Sequence, residues 1–180
     1  MARLFLGIAL PEPVADHLAL VGGGVPGARW ELAEKLHLTL RFLDEIDGGT
    51  QRAIEQALAR VDMPAFELVI AGVGHFPPRG KPRSIWAGLE DDTQVVRLHD
   101  KIERALSGLG LAPDARKFAP HITLARLRDA PDRKVAEFLA NHALMKIGPF
   151  AVEEFRLYSS VRSPGGSKYR TEAAFALQLS

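Results

Sequence analysis

Two spacings alternate along the chain, short runs suited to strands and longer stretches with apolar residues three and four apart. Arg3 to Leu10 is an apolar run closed by Pro11 and predicts a strand, and Pro13 to Leu20 has helical spacing up to the Gly22-Gly23-Gly24 breaker. Leu36 to Leu43 alternates as a strand does, and Gln51 to Val61 places Ile54, Ala57, Leu58 and Val61 on one helical face. Phe66 to Val73 predicts a third strand. The proline- and glycine-rich stretch from Gly74 to Pro82 then predicts a loop and a boundary.

Beyond that loop the pattern repeats. Ser84 to Leu89 predicts a strand, Val95 to Leu109 a helix, Pro120 to Leu127 a strand, Arg133 to Ala140 a helix and Phe150 to Ser160 a strand. A last strand, Tyr169 to Leu179, is expected to pair with the one before it through a turn at Pro164-Gly165-Gly166. Phe66 follows His37 by 29 residues, as Phe150 follows His121, with Pro64 and Pro149 just ahead of each, which suggests a duplicated unit. The elements mix α and β in one domain, 1–180, built of two lobes at about 1–75 and 83–160 with a C-terminal strand over 169–179.

Composition narrows the chemistry. Hydrophobic residues make up 47% and charged residues 25%, the balance of a folded globular domain. A net charge of +1 supplies no global field for a polyanion, so any nucleic-acid contact must be local. The absence of cysteine excludes thiol nucleophiles and cysteine-held metals and suits a reducing cytoplasm. The first apolar run is too short for a membrane span and is followed by acidic residues rather than a cleavage pattern, so a buried strand is expected there.

The chemistry concentrates in one repeated motif, His37-Leu38-Thr39-Leu40 and His121-Ile122-Thr123-Leu124, each in the corresponding strand of its half. Side chains alternate faces in a strand, so His and Thr share one face while the apolar residue between them enters the core. A lone histidine in such a strand is more often structural than catalytic. With only five threonines in the chain, threonine at the same offset from two histidines is not what β-propensity alone provides. If a pseudo-twofold relates the lobes, both imidazoles face one cleft, where one can act as base and the other as acid near neutral pH. The Thr39 and Thr123 hydroxyls would hold non-bridging phosphate oxygens. No nearby carboxylate pair or third histidine stands at metal-ligand spacing.

These motifs, with Arg29-Trp30, Arg83-Ser84-Ile85-Trp86, Phe118-Ala119-Pro120, Arg3-Leu4-Phe5 and Tyr158-Ser159-Ser160, resemble the RNA 2′,3′-cyclic phosphodiesterase family. That family comprises the bacterial and archaeal 2′-5′ RNA ligases and belongs to the two-histidine phosphoesterase superfamily. The resemblance implies an α+β fold of two pseudo-symmetric lobes, each an antiparallel sheet with outer helices, the sheets facing a central cleft. It implies hydrolysis of RNA 2′,3′-cyclic ends to 2′-phosphates without a cofactor, with His37 as proton donor and His121 as proton acceptor. Where the family often has glycine after Phe-Leu, this chain has Asp44.

Two arginines are further candidates for substrate binding. Arg126 resembles a family arginine that contacts the phosphate, yet at +5 from His121 it faces away unless the strand ends or bulges. Arg41, at +4 from His37, is on the histidine face by spacing. Arg79, Lys81 and Arg83, and Arg162, Lys168 and Arg170, could track an RNA backbone, and Phe118 and Tyr169 could stack on bases. His17, His75, His99 and His142 are read as surface residues. The expected partner is RNA with a 2′,3′-cyclic phosphate terminus, bound by a cytoplasmic monomer. Rival readings are a phosphoesterase of small cyclic nucleotides or ADP-ribose cyclic phosphate, a non-catalytic RNA-end binder and a metal hydrolase.

Overall fold

A computed structural model describes residues 2–114 and 116–179. In chain order the strands are β1 (Ala2–Ala9), β2 (Ala28–Trp30), β3 (His37–Ile46), β4 (Phe66–Phe76), β5 (Ser84–Leu89), β6 (Ile122–Leu127), β7 (Lys146–Val152), β8 (Glu154–Ser163) and β9 (Gly166–Ala176). The helices are α1 (Glu12–Ala19), α2 (Gly48–Leu58), α3 (Thr93–Leu106) and α4 (Asp132–Asn141), with a 3-10 turn at Ala33–Lys35. The strands form one antiparallel sheet in the order β7-β4-β5-β6-β3-β1-β8-β9, with β2 beside β6.

That order has four strands on each side of its centre. β3 and β6 meet there through one register pair, Leu38 with Ile122, and three strands continue outward on each side. The two halves therefore join at their inner strands into one continuous sheet. Grouping in space crosses the chain-order bounds of 1–75 and 83–160. β4 completes the half that contains β6, while β8 and β9 complete the half that contains β3. By position β4 corresponds to β8, so the matched spacing of Phe66 and Phe150, which compares β4 with β7, does not follow the symmetry of the sheet. The strand expected over Phe150–Ser160 is likewise two, separated at Glu153.

One layer of side chains unites the halves. Leu38 and Ile122 are wholly buried and share a core with Leu18 of α1, Ile54 and Leu58 of α2, Val95, Leu98 and Ile102 of α3 and Val135 and Phe138 of α4. The three- and four-residue spacing in α3 produces that packing. α2 starts three residues earlier than its periodicity predicts because Asp47 caps it, accepting from the Thr50 amide at 2.8 Å. β4 runs through Phe76, so His75 lies in a strand, and only the rest of the 74–82 segment is loop.

Both inner strands carry a bulge at the same offset from their histidine. In β1–β3 pairing Leu6 faces Arg41 and Gly7 faces Thr39, leaving Leu40 without a partner; in β5–β6 pairing Ile85 faces Ala125 and Trp86 faces Thr123, leaving Leu124 without one. Each bulge reverses the alternation beyond it. Hence Leu40 and Arg41 are buried in succession, as are Leu124 and Ala125, while Phe42 and Arg126 emerge at +5 on the histidine face.

Asp44 follows in β3 with φ 60°, the left-handed region in which glycine carries no steric cost. This accounts physically for the glycine that the resembled family often has there. Asp44→Val is expected to destabilise the fold by roughly 1–2 kcal/mol, the strain of a β-branched residue at positive φ, whereas Asp44→Gly is tolerated. Denaturant midpoints at constant m-value would show the difference.

Candidate active site

The Leu38–Ile122 pairing sets His37 across from Thr123 and Thr39 across from His121. Each imidazole is thus beside its own threonine along the chain and the other motif's threonine across the sheet. The rings are oriented alike. His37 Nδ1 donates to the Lys35 carbonyl at 2.7 Å and His121 Nδ1 donates to the Ala119 carbonyl at 2.6 Å, both two residues upstream. A carbonyl can only accept, so Nδ1 carries the proton in both and each Nε2 is left for chemistry. His37 Nε2 contacts Thr39 Oγ1 at 2.9 Å.

The surroundings of the two rings differ. Phe5 lies 5.0 Å from His37 between ring centroids, Tyr169 meets it edge-on at 5.3 Å and Tyr158 stands at 6.1 Å. This desolvation pushes the His37 pKa below its usual value; the Lys35 carbonyl partly opposes the shift, and His121 adds to it by charge repulsion. That repulsion also shows the two imidazoles within electrostatic reach of each other. His121 meets Phe76 edge-on at 4.9 Å, with Trp86 at 6.4 Å. Trp86 lies flat over Gly74, where a Cβ would come within 2.2 Å of the indole, so glycine is required there.

A cavity of about 450 Å³ opens beside His37, lined among others by Lys35, Arg156, Tyr158 and Tyr169. It does not touch Thr39, His121 or Thr123, so it adjoins the paired motifs rather than containing them. Burial raises the Tyr158 and Tyr169 pKa values, which keeps both phenols protonated and able to donate. Among the described residues, no group of three or more His, Asp or Glu side chains is arranged to hold a metal ion.

Comparison with known proteins decides the family. A model of the 2′-5′ RNA ligase superfamily matches residues 26–164, which span both motifs. The chain belongs to the 2′-5′ RNA ligase superfamily. An RNA 2′,3′-cyclic phosphodiesterase of Archaeoglobus fulgidus is 29% identical over 176 residues, covering 96% of this chain and 99% of that one. One from Thermotoga maritima is 33% identical over 148 residues, covering 80% and 76%. Escherichia coli LigT, solved in complex with 3′-AMP, superposes with a TM-score of 0.78 at 28% identity over 98% of both chains.

Within this member of the 2′-5′ RNA ligase superfamily, the fold brings His37, Thr39, His121 and Thr123 together. Arg126 joins them because β6 bulges; it is exposed and acts electrostatically on Tyr169, which touches His37. Arg41 does not join them. The matching bulge in β3 turns it into the core, where Nε pairs with Glu103 Oε1 of α3 at 2.9 Å and Nη2 donates to the Ala112 carbonyl at 2.5 Å.

Of the two aromatic candidates, Tyr169 reaches the site, while Phe118 stacks on His99 at 4.0 Å and 3°. That contact also removes His99 from the surface set, and His75 is half-buried. Phe5 and Phe42 were not singled out from the sequence as site residues. Phe42 is 55% exposed, 6.0 Å from Phe5 between centroids, and at +5 it is the counterpart of Arg126. No motif marks it, because only the bulge brings it to the histidine face.

Proposed function

We propose that this protein is an enzyme that hydrolyses 2′,3′-cyclic phosphate ends of RNA to 2′-phosphates by two-histidine acid–base catalysis. The observation that carries the reading is the pairing of two His-x-Thr motifs on adjacent antiparallel strands, with each Nδ1 bound to a carbonyl and each Nε2 left for proton transfer. The superfamily assignment and the names of the relatives support the substrate.

In the proposed step His121 Nε2 takes a proton from water as its oxygen bonds to phosphorus. His37 Nε2 gives a proton to the ribose O3′ as the phosphorus–O3′ bond breaks, leaving a 2′-phosphate and a 3′-hydroxyl. A depressed pKa makes His37 a stronger acid than a free imidazole, and the bound phosphate anion raises the share of it that is protonated. Thr39, Thr123 and Arg126 hold the non-bridging oxygens while charge is redistributed. An RNA 5′-hydroxyl in place of water would form a 2′-5′ linkage without ATP, the reaction for which the superfamily is named.

The reading includes a cytoplasmic monomer that needs no metal or other cofactor; no helix among the described residues is long and apolar enough to cross a membrane. Turnover of an oligonucleotide with a 2′,3′-cyclic end is expected to persist in excess chelator. Activity abolished by chelator and restored by a divalent ion would replace this reading with a metal hydrolase.

A further inference from the structure

Beyond Tyr169, on the same face of the sheet as the histidines, three cations gather, none of them within ion-pair distance of a carboxylate among the described residues. Arg29 of β2 stands directly opposite Arg126 of β6, and both are exposed. Arg29 Nη2 and Lys35 Nζ converge on the β8–β9 turn, 3.2 and 3.4 Å from the point that a Cβ on Gly166 would occupy. Gly166 has φ 109°, and the missing side chain lets both cations approach the turn.

Like charges directly opposite one another in a sheet are destabilising. Among the described residues none of the three has an ion-pair partner. Trp30 packs on Phe138, so alternation puts Glu31 on the face of Arg29; its charge acts on Tyr169, but it forms no ion pair with these cations. By contrast, Lys81 of the proline-rich loop is paired with Asp129. Uncompensated arginines beside a protonated phenol make a site for an anion with several oxygens.

Its position says which anion. Lys35 also supplies the carbonyl that holds His37, and Tyr169, whose ring meets His37 edge-on, feels the charge of Arg126. We propose that Arg29 and Lys35, flanking Arg126, bind the phosphodiester on the 5′ side of the terminal nucleotide, so that the enzyme selects an RNA end over a cyclic mononucleotide. This rests on the cyclic-phosphodiesterase reading and adds to it a second phosphate site. The terminal cyclic phosphate is held at the histidines; the next phosphate along the strand is held by β2 and the turn before β3.

The test is kcat/KM for a dinucleotide ending in a 2′,3′-cyclic phosphate against adenosine 2′,3′-cyclic phosphate, in wild type, Arg29→Gln and Lys35→Met. Wild type is expected to favour the dinucleotide by roughly tenfold or more, the worth of one hydrogen bond between charged groups. Arg29→Gln should remove most of that preference through KM and lower the salt dependence of dinucleotide turnover by about one phosphate contact. Turnover of the mononucleotide, which has no second phosphate, should change by less than about twofold, against its collapse in His121→Ala.

Equal use of both substrates by wild type, or an equal loss on both in Arg29→Gln, overturns the second site while leaving the two-histidine reading intact. If neither substrate is turned over, the activity reading fails on its own. Calorimetric titration with the mono- and dinucleotide 2′-phosphates still decides this proposal, since equal affinities would refute it and tighter dinucleotide binding that is lost in Arg29→Gln would uphold it.

Discussion

Replacing either histidine by alanine is expected to lower kcat/KM by roughly 10²- to 10⁴-fold, about 3–5 kcal/mol of barrier, with little change in substrate binding. In the proposed step the two rings serve one proton-transfer cycle, so the double variant should fall far short of the summed losses. Thr39→Ala and Thr123→Ala should each cost less, about 1.5–3 kcal/mol for a hydrogen bond to a charged group. The wild-type pH profile should be a bell, because activity fails when both imidazoles are charged and again when both are neutral.

Desolvation by Phe5 and the tyrosines pushes His37 below 6.5, which places the rising limb of kcat/KM below that pH. The kcat profile belongs to the complex, in which the phosphate anion favours protonated His37, so its rising limb should lie at higher pH than that of kcat/KM. Initial rates across the pH range, for wild type and the three histidine variants, check each of these points.

The second large effect is on stability. Arg41→Met is expected to destabilise the fold by about 3 kcal/mol, the lower end for breaking a buried ion pair, because the Glu103 side chain keeps 32% of its exposure and part of its hydration. It also leaves the Ala112 carbonyl without its donor. Activity per folded molecule and the pH profile should stay near wild type. A substrate-binding arginine would show the opposite pattern, an unchanged denaturant midpoint and a raised KM.

Arg41 also marks where the sequence stops being legible. The shared face of the four motif residues could be read directly, because a period-two pattern repeated with the same polar residues turns Leu38 and Ile122 into the core and the residues on either side away from it. Spacing at +4 then put Arg41 on the histidine face and at +5 put Arg126 off it, and the bulges at Leu40 and Leu124 exchange those assignments. Nothing local announces either bulge: Leu40-Arg41 and Leu124-Ala125 are ordinary strand dipeptides, and only pairing with β1 and β5 leaves a leucine unopposed. Phe42 stayed hidden for the same reason.

The helices and most strands followed from periodicity, since each buries its own apolar stripe. Strand order did not, because β4 crossing to the half of β6 depends on which edges meet rather than on any pattern within β4. The 29-residue spacing matched two elements adjacent to their motifs in sequence but not equivalent in the sheet. Tyr169 was accessible only as an aromatic able to stack on a base, on the same footing as Phe118, which the fold sets against His99. The structure shows what Tyr169 does, closing an edge-on contact over His37.

The proposed reaction opens RNA 2′,3′-cyclic phosphates with fission of the bond to O3′. Phosphorus-31 NMR of a dinucleotide bearing such an end, incubated with the wild-type protein, tests it most directly. The cyclic phosphate resonance is expected to be replaced by that of a 2′-phosphomonoester alone, and to persist with His121→Ala; a 3′-phosphomonoester, or an unchanged cyclic resonance with wild type, would refute that reaction.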